Sequence, residues 1–110
     1  MDLIEHKREI SRDGNVYLVA YDTNFVDCDD DCITIYWQIK ERHFTDNRDT
    51  ADALDRNVSC WNDYEIVEKI CKRYGCKIGL NYELQAPHGS QLIQAILAIY
   101  AWIEFKGTKL

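Results

Sequence analysis

The chain has 110 residues, of which 46% are hydrophobic, and a formal net charge of −6. This length predicts a single domain over residues 1–110, and the apolar fraction is typical of a globular protein. The negative charge argues against direct binding to nucleic acid or to an anionic membrane, because both require a basic face. Residues 1–10 are charged, and no apolar run reaches the ~20 residues of a membrane span, so we expect a cytoplasmic protein.

Three segments carry the patterns of β-strands. Residues 15–21 follow the turn signal Asp13-Gly14 and are rich in β-branched and aromatic side chains. Residues 33–40 alternate apolar and polar positions, and residues 76–84 do the same. The sequence therefore predicts a three-stranded antiparallel sheet, in which an acidic loop joins the first two strands as a hairpin.

Two further segments predict helices. Asn62 is the expected N-cap of a helix that ends before Gly75. Residues 92–105, preceded by Ser90 as a cap, are apolar on nearly every side, which indicates a central core helix or a helix that forms a homodimer. Residues 46–56 fit a short helix and a solvated loop equally well. The predicted fold class is α+β: a small two-layer domain with two or three helices on one face of the sheet.

Aspartates are the most distinctive feature of the sequence. Nine of the twelve lie between Asp22 and Asp55, in two groups. The candidate binding carboxylates are Asp27, Asp29, Asp30 and Asp31 in the hairpin loop, and Asp46, Asp49, Asp52 and Asp55 before the capped helix. Carboxylates at this density repel one another, so we expect all of them at the surface.

The hairpin group does not match a calcium loop. Asp27, Asp29 and Asp31 alternate like the first ligands of such a loop, but the turn glycine is missing. Gln38 also stands where the bidentate Glu is required. We therefore predict no calcium site.

The cysteines do not predict a zinc site. Cys28 and Cys32 are separated by three residues, and Cys71 and Cys76 by four, whereas zinc motifs commonly have two. Cys71 and Cys76 fall on apolar positions and are expected to be small buried hydrophobes. The sequence predicts no metal and no cofactor.

One pattern points to an enzyme. Gln38 and Lys40 share a face of the second predicted strand, with Asp22 or Asp30 as the nearby acid. Within residues 22–40 this pattern resembles the Gln-x-Lys variant of the PD-(D/E)xK nuclease core, which implies metal-dependent cleavage of nucleic acid by those residues. His6, His43 and His88 lie in no recognisable catalytic signature. A nuclease is the enzymatic alternative to a non-enzymatic protein.

The aspartates themselves favour a non-enzymatic binding protein. Closely spaced carboxylates imitate the field of DNA or RNA, so they would occupy the basic groove of a nuclease, a toxin or a nucleic-acid-binding effector. Phe25, Trp61 and Tyr64 would then act as aromatic anchors. Toxin-immunity proteins and phage inhibitors of host nucleases, among them anti-CRISPR proteins, are small acidic chains of this type. The sequence thus predicts an inhibitor with an acidic docking surface; a merely solubilising surface is the other interpretation.

Overall fold

The protein is a mixed α+β structure in which helices pack on one face of an antiparallel sheet. The structure, a computed structural model, describes residues 4–27, 31–57 and 61–108. The strands are β1 Ile4–Arg12, β2 Asn15–Val26, β3 Cys32–Gln38, β4 His43–Thr45, β5 Lys77–Ile78 and β6 Leu84–Ala86. The helices are α1 Asp49–Asn57, α2 Trp61–Arg73 and α3 Gly89–Thr108.

Over the described residues the sheet has six strands in the order β1-β2-β3-β4-β6-β5, so the prediction of three strands is wrong while the α+β class is confirmed. Every pair of neighbouring strands is antiparallel. Ile33 and Ile35 of β3 face the helices and are almost fully buried. The alternation that predicted β3 is therefore confirmed, because one face of this strand lies in the core and the other does not.

β1 is a strand that the sequence pattern did not reveal. It pairs with β2 through the tight turn Asp13-Gly14, whose residues both have positive φ angles of 54° and 80°. Residues 6–9 of β1 are exposed, and every one of them is His, Lys, Arg or Glu. A strand at the edge of a sheet with no buried face has no apolar alternation to detect.

The third predicted strand, residues 76–84, is a hairpin instead. β5 and β6 are joined by a one-turn 3₁₀ segment, Leu80–Tyr82, in which Asn81 and Tyr82 have φ angles of 58° and 63°. The amide of Glu83 donates to the Leu80 carbonyl at 3.2 Å, which closes the turn. The apolar alternation continues through this segment, but Leu80 is 89% exposed because the chain reverses there.

Helices α2 and α3 form the second layer. α2 begins at Trp61, so Asn62 lies inside its first turn and is not the predicted cap. Its end is as predicted: Gly75 has a φ angle of +73°, and the amide of Cys76 donates to the carbonyl of Cys71 at 2.8 Å. A left-handed residue and this hydrogen bond terminate the helix.

α3 is the central helix of the core. Seven of its residues are buried against the sheet, α1 and α2: Leu92, Ile93, Ala95, Ile96, Ile99, Tyr100 and Ile103. The apolar character of α3 is therefore largely explained by burial within one chain. Among the described residues, no helix combines the length and the apolar content that crossing a membrane requires.

Candidate functional site: an acidic ridge with a tyrosine pair

Asp46 is buried, so the expectation that all the acidic side chains are exposed is wrong for this residue. It is 1% exposed. Its carboxylate accepts hydrogen bonds from the backbone N–H groups of Arg48 at 3.0 Å, Thr50 at 3.1 Å and Leu84 at 2.9 Å. These donors satisfy a carboxylate inside the protein, and they join the start of α1 to β6. Asp46 is a structural residue rather than a docking residue.

Burial dominates the ionisation of Asp46. Removal from water raises the pKa of its carboxyl above the ordinary value, and the hydrogen bonds from Thr50, Leu84 and Arg48 oppose this rise. Ionisation of this buried carboxyl therefore costs free energy, and the surrounding N–H groups lower that cost.

α1 is the short helix that the sequence left undecided, and it presents three exposed carboxylates. Asp49, Asp52 and Asp55 are spaced three residues apart and are all exposed. The Nη2 atom of Arg48 lies 3.6 Å from Asp52 and 3.9 Å from Asp55. One guanidinium shared by two exposed carboxylates is a weak stabilising contact, so α1 keeps a strongly negative surface.

The two acidic groups of the sequence meet in the structure. Asp27, at the end of β2, and Asp49, at the start of α1, line one small cavity together with Thr34, Thr50 and Tyr100. Asp31, on the other side of the hairpin, lies beside Asp27, because its backbone amide donates to the Asp27 side chain at 3.0 Å. Residues separated by more than twenty positions in sequence thus form one negative surface.

A pair of tyrosines continues this surface at the other end of α1. The hydroxyl of Tyr64 donates to the carboxylate of Asp55, and this hydrogen bond raises the pKa of Tyr64 to about 12. The ring of Tyr64 lies 4.6 Å from the ring of Tyr82, measured between centroids. The Tyr82 hydroxyl donates to Glu68 at 3.4 Å. We call the carboxylates of Asp27, Asp49, Asp52, Asp55 and Glu68 the acidic ridge.

The backbone at Tyr82 is unusual for a bulky residue. Its φ angle of 63° lies in the left-handed region, which L-residues with a large side chain rarely adopt. The tight turn holds Tyr82 there, with its ring against that of Tyr64. The acidic ridge therefore ends in a pair of tyrosine rings that contact each other.

The other predicted docking residues fall in different surroundings. Asp31 is exposed at the hairpin, whereas Asp29 and Asp30 lie outside the described residues. Phe25 packs against the hydrophobic core and is only half-buried. Trp61 begins α2, and its side chain is outside what the structure describes.

The residues of the nuclease pattern lie apart. Asp22 accepts two hydrogen bonds from the Arg8 guanidinium, at 2.8 and 3.0 Å, and a third from the Thr34 hydroxyl at 2.7 Å. These hydrogen bonds hold the pKa of the Asp22 carboxyl below its ordinary value. Asp22 pairs with Thr34, which precedes Gln38 by four residues of β3, or about 13 Å along a strand.

The remaining two candidates of that pattern are equally separate. Gln38 contacts the imidazole of His43, Lys40 lies in the turn that follows β3, and Asp30 is outside the described residues. In the described part of the chain, no group of three His, Cys, Asp or Glu side chains is arranged to hold a metal ion.

Two of the cysteines are core residues, as predicted. Cys71 is 1% exposed and Cys76 is 9% exposed, and neither forms a disulfide. Burial raises the pKa of the Cys71 thiol to about 12 and that of Cys76 to about 11. Both side chains therefore remain neutral thiols at physiological pH.

Comparisons of this chain with protein-family models, with curated proteins and with solved structures find no match. Sequence reasoning named Tyr64 among the aromatic anchors but missed Tyr82 and Glu68 as members of this site. The signal that could have found Tyr82 is Asn81, since Asn favours the left-handed backbone of a tight turn and so suggests a chain reversal there.

Proposed function

We propose that this chain is a small acidic binding protein that docks the acidic ridge on a basic surface of a partner protein. The observation that carries the proposal is the continuity of the ridge: two acidic groups that are distant in sequence adjoin at Asp27 and Asp49, and α1 extends them to the tyrosine pair. A solubilising surface needs charge but does not need ordered aromatic side chains at its end. Tyrosine is a residue that binding interfaces favour.

The chemistry of the ridge favours a nucleic-acid-binding surface as the partner. Carboxylates along a helix and a hairpin present negative charge at several points, as phosphates do, and a groove lined by Lys and Arg would receive them. A nuclease, a toxin or a nucleic-acid-binding effector has such a groove. We therefore propose an inhibitory role like that of immunity proteins or anti-CRISPR proteins, without enzymatic activity of its own.

The carboxylates of the acidic ridge and the tyrosine pair at its end are expected to contribute differently to the binding kinetics. Charges accelerate association and make it sensitive to salt, whereas buried aromatic anchors mainly slow dissociation. Neutralising Asp49, Asp52 and Asp55 should therefore lower the association rate by about 10-fold at low ionic strength. Replacing Tyr82 by Gly should raise the dissociation rate and leave the salt dependence unchanged.

Tyr82→Gly is a suitable variant because it should still fold. Glycine adopts the left-handed backbone of this turn without strain, and this gain offsets the lost contact between the two rings. Binding lost by this variant would therefore report the anchor rather than unfolding.

The experiment is an affinity capture from the native host, followed by binding kinetics with the purified partner over a range of salt concentrations. The control is the triple variant Glu9→Gln, Asp13→Asn and Glu41→Gln, which removes three exposed acidic charges outside the ridge. We expect the ridge variant to lose binding and the control variant to keep it. If the ridge variant and the control variant lose binding equally, the effect comes from net charge alone. Unchanged binding in both variants would refute the docking function.

A specific observation favours a second candidate, a homodimer formed partly by α3. A groove between α2 and α3 is lined by the mainly apolar side chains of Ile66, Ile70, Tyr74 and Ala98, together with Lys69 and Arg73. Farther along α3, Phe105 is 59% exposed and stacks on Trp102. Exposed apolar side chains of this kind are found at interfaces between subunits. Sedimentation equilibrium tests the candidate, since a monomeric mass at every concentration would contradict it.

A further inference from the structure

β1 is a long strand at a free edge of the sheet. It has nine residues and pairs with β2 on one side, whereas the opposite edge strand, β5, has two residues. Its principal contact is with β2, and residues 6–9 are exposed, so the helices cover neither face of this segment. The backbone groups that point away from β2 have no strand partner in the described residues, so they can pair with a further strand.

Two irregularities set the length of β1 that is available for such pairing. The register of β1 against β2 shifts between Ile4 and His6, and again between Ile10 and Ser11. Irregularities of this kind interrupt a strand ladder, so a new strand would pair with the regular stretch between them. That stretch is His6–Ile10, and Arg8 is its central residue.

The charges of this stretch are self-complementary about Arg8. Successive side chains of a strand point to opposite faces, so Lys7 and Glu9 share the face on which β2 carries Tyr21 and Val19. When two copies pair antiparallel about a two-fold axis at Arg8, Lys7 of each copy lies opposite Glu9 of the other. Neither side chain forms an ion pair within the described part of its own chain, so both can pair across the axis.

The neighbouring registers bring like charges together. An axis at Lys7 puts two lysines directly opposite each other, and an axis at Glu9 puts two glutamates there. Like charges directly opposite in a sheet are destabilising, whereas opposite charges stabilise the pair. Charged residues on an edge strand normally discourage pairing with unrelated strands. Here the same charges favour one partner and one register, a second copy with the axis at Arg8.

Arg8 does not oppose this pairing, although it meets its own symmetry mate at the axis. Its guanidinium donates two hydrogen bonds to the Asp22 carboxylate of β2, at 2.8 and 3.0 Å. β2 lies on the side of β1 away from the free edge, so the guanidinium is directed into the sheet and its charge is balanced there. In the dimer, each Arg8 side chain therefore has a carboxylate of its own chain beside it.

We propose that two copies of this chain associate through their β1 strands, antiparallel about Arg8, to form one continuous sheet that contains the six strands of each copy. The paired stretch is short, so we expect a weak dimer in exchange with the monomer. This interface is separate from the groove between α2 and α3. It is also independent of the proposed docking function, because no residue of the acidic ridge belongs to β1.

The first test combines sedimentation equilibrium with charge exchange. Lys7→Glu and Glu9→Lys each place like charges at two positions of the dimer, so each should weaken association by about 10-fold or more. The two variants change the net charge in opposite directions, so a loss that both share cannot come from net charge. The double variant Lys7→Glu with Glu9→Lys restores both ion pairs and should dimerise like the wild type. An equimolar mixture of the two single variants should form a heterodimer, since each contributes the charge that the other lacks.

Three outcomes of this test would overturn the proposal. The first is a monomeric mass of the wild type at every concentration up to about 1 mM. The second is a dimer that neither single variant weakens, which would favour the α3 interface instead. The third is a dimer that both single variants weaken but the double variant does not restore, because the register about Arg8 would then be wrong. Circular dichroism checks that the variants are folded, as expected for two exposed side chains.

Amide hydrogen exchange locates the interface without any substitution. Exchange in residues 6–10 should slow as the protein concentration rises, because the amides that face the second copy become hydrogen-bonded. The amides of Ser11 and Arg12, beyond the irregularity, are the internal control and should not change. Concentration-dependent protection in α2 and α3, with none in β1, would refute pairing through β1. The ridge variant should dimerise like the wild type, so failure of this dimer and failure of the docking function are distinguishable.

Discussion

Replacing Asp46 tests whether its buried hydrogen bonds stabilise the folded protein. In Asp46→Ala, three backbone N–H groups lose their acceptor, and those of Thr50 and Leu84 are buried. Each buried donor left without a partner costs about 1–3 kcal/mol, and one of them, that of Thr50, lies in the first turn of α1. We therefore expect the free energy of unfolding to fall by about 3–5 kcal/mol, a large part of the ~5–15 kcal/mol of an ordinary domain.

Asp46→Asn separates the hydrogen bonds from the charge. The remaining carbonyl oxygen still accepts from Arg48 and Leu84, but the new NH₂ group faces the amide of Thr50. The expected loss at neutral pH is about 1–3 kcal/mol, smaller than that of Asp46→Ala. Asp52→Ala is the control, because it removes an exposed carboxylate from the same helix and should cost less than about 1 kcal/mol.

The difference in unfolding free energy between wild type and these variants should change with pH in a defined direction. The folded-state pKa of Asp46 is raised, so its protonated form is favoured in the folded protein. The stabilisation that the Asp46 carboxyl gives the wild-type protein is therefore fully present below the unfolded-state pKa of about 4. It is lost as the pH rises through the pKa of the folded state. Urea unfolding should show a gap between wild type and Asp46→Asn that narrows as the pH increases. A gap that widens, or an Asp46→Ala cost below about 1 kcal/mol, would refute the reasoning.

Three further predictions follow from pKa values and their physical causes. Asp22 has a lowered folded-state pKa, so Asp22→Asn should be less stable than wild type at pH 7, and acid titration should show this difference begin to shrink near the unfolded-state pKa of about 4 and disappear as the pH falls through the lower folded-state pKa. Asp55→Asn should lower the pKa of Tyr64 from about 12 in a spectrophotometric titration, and an unchanged value would contradict the hydrogen bond between them. Cys71 and Cys76 should resist thiol reagents at pH 8 until denaturant is added, while the exposed Cys32 reacts in the native protein; mass spectrometry would reveal early labelling of either buried thiol.

Parts of the fold that carry a local signal were predictable from the sequence. β3 was found because Ile33 and Ile35 enter the core while their neighbours do not. The end of α2 was found because Gly75 adopts a conformation that few other residues tolerate. α3 was found because its apolar residues extend around the whole helix.

The missed elements lack such local signals. β1 has no buried face along residues 6–9, and the alternation of β5 and β6 hides a chain reversal at Asn81 and Tyr82. The acidic composition of the segment predicted a surface position for Asp46. The backbone amide of Leu84, 38 residues away in sequence, helps to stabilise Asp46 in the interior. The tyrosine pair also depends on tertiary structure, since Tyr64 and Tyr82 belong to different elements. Contacts between residues so far apart in sequence leave no pattern in the local spacing of residues.

The strand order has a consequence for how the protein folds. β1 to β4 pair with their neighbours along the chain, whereas β4 and β6 pair across the 38 residues, 46–83, that hold α1, α2 and β5. Closing such a loop loses chain entropy before any contact compensates for it, so this pairing is expected to limit the folding rate. Until it forms, Phe44 lacks its partner Ala86, and α1 lacks the link from Asp46 to Leu84. The helix that carries most of the acidic ridge thus becomes ordered together with the latest strand pairing, not with the hairpins that precede it.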